Sequence, residues 1–173
     1  MKRKAVVMVM ILICFILQCT VLKAVPFTKV VPNLLVVLTS SFGFMRGKKE
    51  GLFVGLCSGI LIDLFYSDIL GFYSLLFMYI GYLNGFFKNM FYDDDIKLPM
   101  ILITLSDFVY GCMIYIFSFL LRGRLDWFFY LKNVILPEVI YTVVVTLAFY
   151  RLIRRINSKL EEEEKRSGTK FVK

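Results

Sequence analysis

Histidine is absent from this 173-residue chain. Its absence removes imidazole acid–base chemistry, Ser–His and Cys–His nucleophiles, and His-ligated metals. Cysteine is scarce. Cys14, Cys19, Cys57 and Cys112 all lie inside apolar runs, and no two form a Cys-x-x-Cys pair. They read as inert, buried thiols rather than a redox or metal centre. No catalytic residue, metal site or cofactor is therefore expected. Polar surface is the third shortage: 59% of residues are hydrophobic and 18 are Phe, against about 45–50% apolar in a typical soluble domain. With a mean hydropathy of +0.75, too little polar surface remains to cover a water-facing fold. What is present is positive charge, with 21 Lys and Arg against 13 Asp and Glu. These cations separate apolar runs instead of forming one face, so the partner they indicate is the lipid bilayer and not nucleic acid.

The reading is an all-α, polytopic membrane protein. A membrane helix needs about 17–25 mostly apolar residues, and six stretches meet or approach this: 5–22, 30–45, 51–66, 69–87, 98–121 and 134–150. The second and third are short, so a thinned or partly protein-buried passage is expected there. Together they predict a single six-helix membrane domain over 1–155, with 156–173 as a charged cytoplasmic tail. Placing both termini in the cytoplasm puts 16 of the 21 Lys and Arg inside and only Lys23, Lys29, Arg122, Arg124 and Lys132 outside, as the positive-inside rule requires. The first apolar run exceeds the about 7–15 residues of a signal-peptide core and no small-x-small cleavage site follows it. It is expected to stay as helix one. The mixed aromatic and charged segment 125–133 reads as an outer-surface piece leading into helix six.

Glycine recurs at every fourth position through Gly43, Gly47, Gly51, Gly55 and Gly59, and the next step is Asp63. At 3.6 residues per turn this spacing drifts by only about 40° per step, so the positions share a face. Small residues there let another helix approach closely, and Gly81 and Gly85 repeat the device on helix four. Gly51, Gly55, Gly59, Asp63, Gly81 and Gly85 are thus candidates for helix packing or for docking a separate single-span partner.

Acids inside apolar runs are costly enough to be functional candidates by default. Asp63 ends the glycine stripe and should face protein, or cap the outer loop with Ser67 and Asp68. Asp107 lies near the midplane of helix five on a face shared with Thr104, Gly111 and Ser118. Glu138 follows Pro137 where a proline suits a first helical turn and a carboxylate suits the positive dipole end. If Asp63 and Asp107 only hold helices together by hydrogen bonds, Asn should largely replace either; a proton or cation pathway would tolerate neither change.

Pro32-Asn33-Leu34-Leu35 opens helix two, followed by Arg46-Gly47, the glycines ending in Asp63, Leu70-Gly71, and Leu136-Pro137 leading to Arg151 and Arg154-Arg155. Together these residues resemble the rod shape-determining protein MreD family over nearly the whole chain. Asn33 stands where the family pattern leads one to expect Asp, and Glu138 is not a family feature. The resemblance implies a non-enzymatic scaffold or regulator of bacterial cell elongation in the cytoplasmic membrane. It would support lateral peptidoglycan synthesis by binding MreC and, directly or through it, a class B penicillin-binding transpeptidase, RodA and MreB. The family is also similar in architecture to the substrate-binding subunits of energy-coupling-factor vitamin transporters, which makes small-molecule capture the alternative function. Those subunits typically carry an Ala-x-x-x-Ala docking pattern on helix one; here that helix is bulky throughout.

Overall fold

A computed structural model describes residues 2–20, 31–67, 70–90, 96–118 and 127–169. All regular structure among them is helical. Helix α1 (Lys2–Cys19) is followed by α2 (Leu34–Arg46), α3 (Lys48–Tyr66) and α4 (Phe72–Asn84), which runs into a 3-10 segment (Gly85–Met90). Then come α5 (Lys97–Ser118), the single turn α6 (Trp127–Tyr130), a π-helical stretch (Leu131–Ile135) and α7 (Leu136–Thr169).

Helix α2 is the axis of the bundle. Every residue from Leu34 to Met45 is buried, and the helix touches α1, α3, α4, α5 and α7. Its 13 residues span only about 20 Å at 1.5 Å per residue, short of the about 30 Å hydrocarbon layer. Protein, not lipid, surrounds it, so its length need not match the bilayer. Its start is fixed by Asn33, whose side-chain oxygen accepts from the Val36 N–H at 3.2 Å in a standard N-cap. At its other end Gly47, with φ +99°, is the single residue between α2 and α3. That left-handed backbone favours glycine.

Two helices, Lys97–Phe117 and Phe128–Glu162, are long and apolar enough to cross a membrane alone; Lys4–Cys19 and Leu34–Arg46 are shorter apolar helices. The outward faces carry large apolar side chains, among them Ile13 on α1, Leu64 on α3, Leu75 on α4, Leu105 on α5 and Val144 on α7. Water-soluble monomers rarely expose so much contiguous apolar surface.

Element limits differ from the sequence reading in several places: α2 starts at Leu34, after the Asn33 cap, where residue 30 was expected, and α7 runs on past 150 to Thr169. Helix α3 starts at Lys48, three residues earlier than expected, because Gly47 turns the chain in one step. Helix α4 begins at Phe72, after the Gly71 turn with φ +101°, and Ile69 lies outside the described residues. Pro137 does not open a free helix. Helical residues run up to it from Trp127, and the wider π-turn just before it accommodates a ring that would clash inside a regular α-helix. Glu138 accordingly sits within a helical column and is not a dipole cap at an exposed N-terminus. Within segment 125–133, residues from Trp127 onward belong to this column.

Candidate functional site

Two clusters of the predicted residues hold the bundle together. The first is the seam between α3 and α4. A Cβ added at Gly51 would strike the Gly81 carbonyl, at Gly55 the Phe77 carbonyl, at Gly59 the Ser74 backbone, and at Gly85 the Lys48 backbone. Gly81 is closed off reciprocally by the carbonyl of Gly51. One step earlier, Gly43 of α2 lies where a Cβ would meet the Gly81 oxygen at 2.7 Å and Asn84 Cβ at 2.9 Å. These are backbone-on-backbone approaches, the small-xxx-small mode of membrane helices. Because α4 of the same chain fills the stripe, a separate partner helix has no access at Gly51, Gly55 or Gly59.

Asp63 closes this seam. Its Oδ1 accepts from the Tyr73 N–H at 3.0 Å, and its Oδ2 accepts from the Ser74 N–H at 2.9 Å and from the Ser74 hydroxyl. The first turn of a helix carries unpaired N–H groups and a partial positive charge, so α3 supplies the N-terminal cap of α4. Asp68 lies outside the described residues. Gly71 provides the left-handed turn that brings α4 back over Asp63, and its carbonyl accepts from the Leu75 N–H at 3.0 Å. Leu70 projects outward from the same turn.

The second cluster joins α2, α5 and α7. The Asn33 N–H donates to the Thr142 hydroxyl at 3.1 Å, and the Pro32 carbonyl accepts from Leu34 N–H at 3.2 Å. Asp107 is buried beside Thr142, near enough to interact but outside hydrogen-bond geometry, and Glu138 lies within electrostatic range of it. The Tyr110 hydroxyl adjoins Asn33. Gly111 packs against the Ile135 side chain, which sets the register of α5 on α7. Thr104 turns its hydroxyl back onto the Met100 carbonyl at 2.7 Å, and the Ser118 side chain lies outside the description.

Several contacts were not expected from the sequence. The Arg46 guanidinium donates to the Asn157 side-chain and main-chain oxygens, clasping the α2 end to α7. Asn84 donates to Ser106 Oγ at 2.7 Å and to the Ile80 carbonyl at 2.9 Å. Gln18 Oε1 accepts from the Leu35 N–H at 3.4 Å. A polar residue inside an apolar run was the available signal for Asn84 and Ser106.

Among the described residues no three His, Cys, Asp or Glu side chains converge as a metal site. A cavity of about 250 Å³ is lined by Phe15, Gln18, Cys19, Val31, Ile62, Tyr66, Tyr73 and Tyr110. It falls below the about 300–1,000 Å³ of ordinary ligand pockets, and Gln18, Cys19 and three tyrosines give its lining a polar share.

No curated protein and no solved structure matched the chain. The family model for rod shape-determining protein MreD matches residues 1–159, a span that takes in both clusters and the Arg46–Asn157 clasp. With that match over an apolar helical bundle, the chain belongs to the MreD family and is a membrane protein with a role in determining cell shape.

Proposed function

We propose that this protein is a non-enzymatic, multi-pass scaffold of the cell-elongation machinery. Both its termini lie in the cytoplasm, and it binds MreC and through it the class B transpeptidase, RodA and MreB. The observation that carries this reading is the family match across residues 1–159. Physical support comes from the interior. Several of its polar groups join helices, as Asp63 does at α4 and Arg46 at Asn157. The cavity of about 250 Å³ is smaller than ordinary ligand pockets, which weighs against the transporter reading. Cations also collect at one end of the bundle: Lys48 stacks on the Phe86 ring at 3.4 Å, Lys88 packs beside Gly47, and Arg46 meets α7. That end is the cytoplasmic one by the positive-inside rule.

Co-purification from gently crosslinked membranes tests the partners. Recovery of MreC and the elongation synthase is expected, whereas recovery of an ATP-driven uptake complex would overturn the scaffold. Reporter fusions after Lys173 and after Asp126 test topology, with the first expected inside and the second outside. An outside signal at Lys173 would refute the proposed arrangement.

A further inference from the structure

Helix α7 outlasts the membrane. From Phe128 to Tyr150 the helical column covers 23 residues, about 34 Å at 1.5 Å per residue, which already crosses the about 30 Å hydrocarbon layer. Arg151 therefore begins at the depth of the lipid headgroups, and the helix continues to Thr169.

Beyond that point α7 has two unlike faces. Ile153, Asn157 and Leu160 are buried against the bundle, with Asn157 held by Arg46. On the opposite side Arg151, Arg154, Arg155, Ser158 and Lys159 recur three and four residues apart and line a groove of about 320 Å³. Arg151, Arg155 and Lys159 are exposed. Arg154 already has a partner within the protein, so the groove's available charge rests on the other three. Glu162 ends the ridge one turn past Lys159. The clasp at Asn157 fixes the rotation of the helix, so the ridge is presented at a set angle and not averaged over all directions.

We propose that this ridge is a headgroup site for anionic phospholipid of the surrounding leaflet, with Arg151, Arg155 and Lys159 holding the phosphodiester. Guanidinium groups match phosphate oxygens in a two-pronged geometry, and juxtamembrane cations are attracted to anionic leaflets. A free phosphate would be held by the same groups but lacks the acyl chains that the apolar flank of α7 (Leu147, Val144) can cover. The lipid is therefore the ligand of choice.

The test uses the full chain purified in uncharged detergent, titrated with phosphatidylglycerol or with phosphatidylcholine of the same acyl chains. Bound lipid is counted by native mass spectrometry, and thermal stability is followed in parallel. Phosphatidylglycerol is expected to be retained and to raise the melting temperature, while phosphatidylcholine does neither. Each charge removed should weaken retention about fivefold, so R151Q/R155Q/K159Q should lose it, whereas K49Q, an exposed cation off the ridge, should not. If the triple variant fails to accumulate, R155Q alone should show the fivefold loss, and R151K/R155K should bind more tightly than R151Q/R155Q but less tightly than the wild type, since the charges remain and the two-pronged geometry does not. Equal retention of phosphatidylcholine, an unchanged triple variant, or an equal stabilisation by soluble glycerophosphate would each overturn the proposal. So would a triple variant that keeps its lipid but loses an acidic partner protein.

Discussion

Helix α4 faces two neighbours in opposite ways. Against α3 it lies backbone on backbone, with carbonyls where glycines leave room and a carboxylate capping its first turn. Against α5 it meets sparsely, around an apolar groove of about 330 Å³ lined by Leu83, Phe86, Leu102, Leu105 and Val109, with the Asn84–Ser106 hydrogen bond at its base. In lipid there is little hydrophobic gain from bringing two helices together, so close packing and polar pairing must supply the attraction. The α3–α4 seam uses both and the α4–α5 seam mainly the second. The first should therefore resist change steeply and the second mildly.

The sharpest way to break this contrast is to put bulk on the tight side. Gly55→Leu or Gly59→Leu drives a side chain into α4 backbone that cannot move aside. We expect a cost of about 3 kcal/mol or more, at the upper end of overpacking, seen as loss of folded protein from membranes. Leu56→Phe, one residue away and directed outward, should leave abundance unchanged. If both glycine variants accumulate normally, the seam is looser than it looks.

Next in size is Asp63→Asn. Both carboxylate oxygens accept from α4, and an amide can present only one acceptor while turning N–H toward N–H. A loss of about 1–3 kcal/mol follows, read as reduced abundance or a lower melting temperature in detergent. On the loose side, Ser106→Ala removes one interhelical hydrogen bond and should cost about 0.6–2 kcal/mol. The smallest effect is expected for Asp107→Asn. Asp107 makes no geometric hydrogen bond that requires two acceptors, so the variant should stay near wild-type abundance and sustain rod growth in a depleted strain. A well-expressed, partner-bound Asp107→Asn protein that failed to keep cells rod-shaped would show that its charge is used, against the scaffold.

Some of this was legible from residues alone. Glycine at every fourth position announces a close helix contact because nothing else on that face explains the spacing, and Asp63 one step further had to face protein. The sequence did not say that α4 caps itself on Asp63, since that requires knowing which helix folds back and where Gly71 turns it. Asp63 and Asp107 look alike in the sequence, as acids that Asn could replace; the two-oxygen cap on α4 is what now leads us to expect a loss at Asp63. The shortness of α2 was visible, and its cause, burial on every side, appears only once five neighbours are placed. The π-stretch before Pro137 left no trace in the hydropathy pattern, because widening one turn changes hydrogen-bond partners and not composition. Arg46 and Asn157 lie 111 residues apart, a separation that no local pattern spans.

The one-residue elbow at Gly47 bears on how the protein is made. A helix sheathed by protein on every side cannot rest alone in lipid, because nothing yet covers its Thr39, Ser40 and Ser41 when it leaves the ribosome. Joined through a single glycine, α2 and α3 emerge as a hairpin, and α4 follows within a few residues to cover their shared face. The first half of the chain can thus fold from near-neighbour contacts, which are the fast ones. Only α5 and α7 must then find their places from a distance, so a lesion at the elbow should strand the nascent chain before its second half arrives.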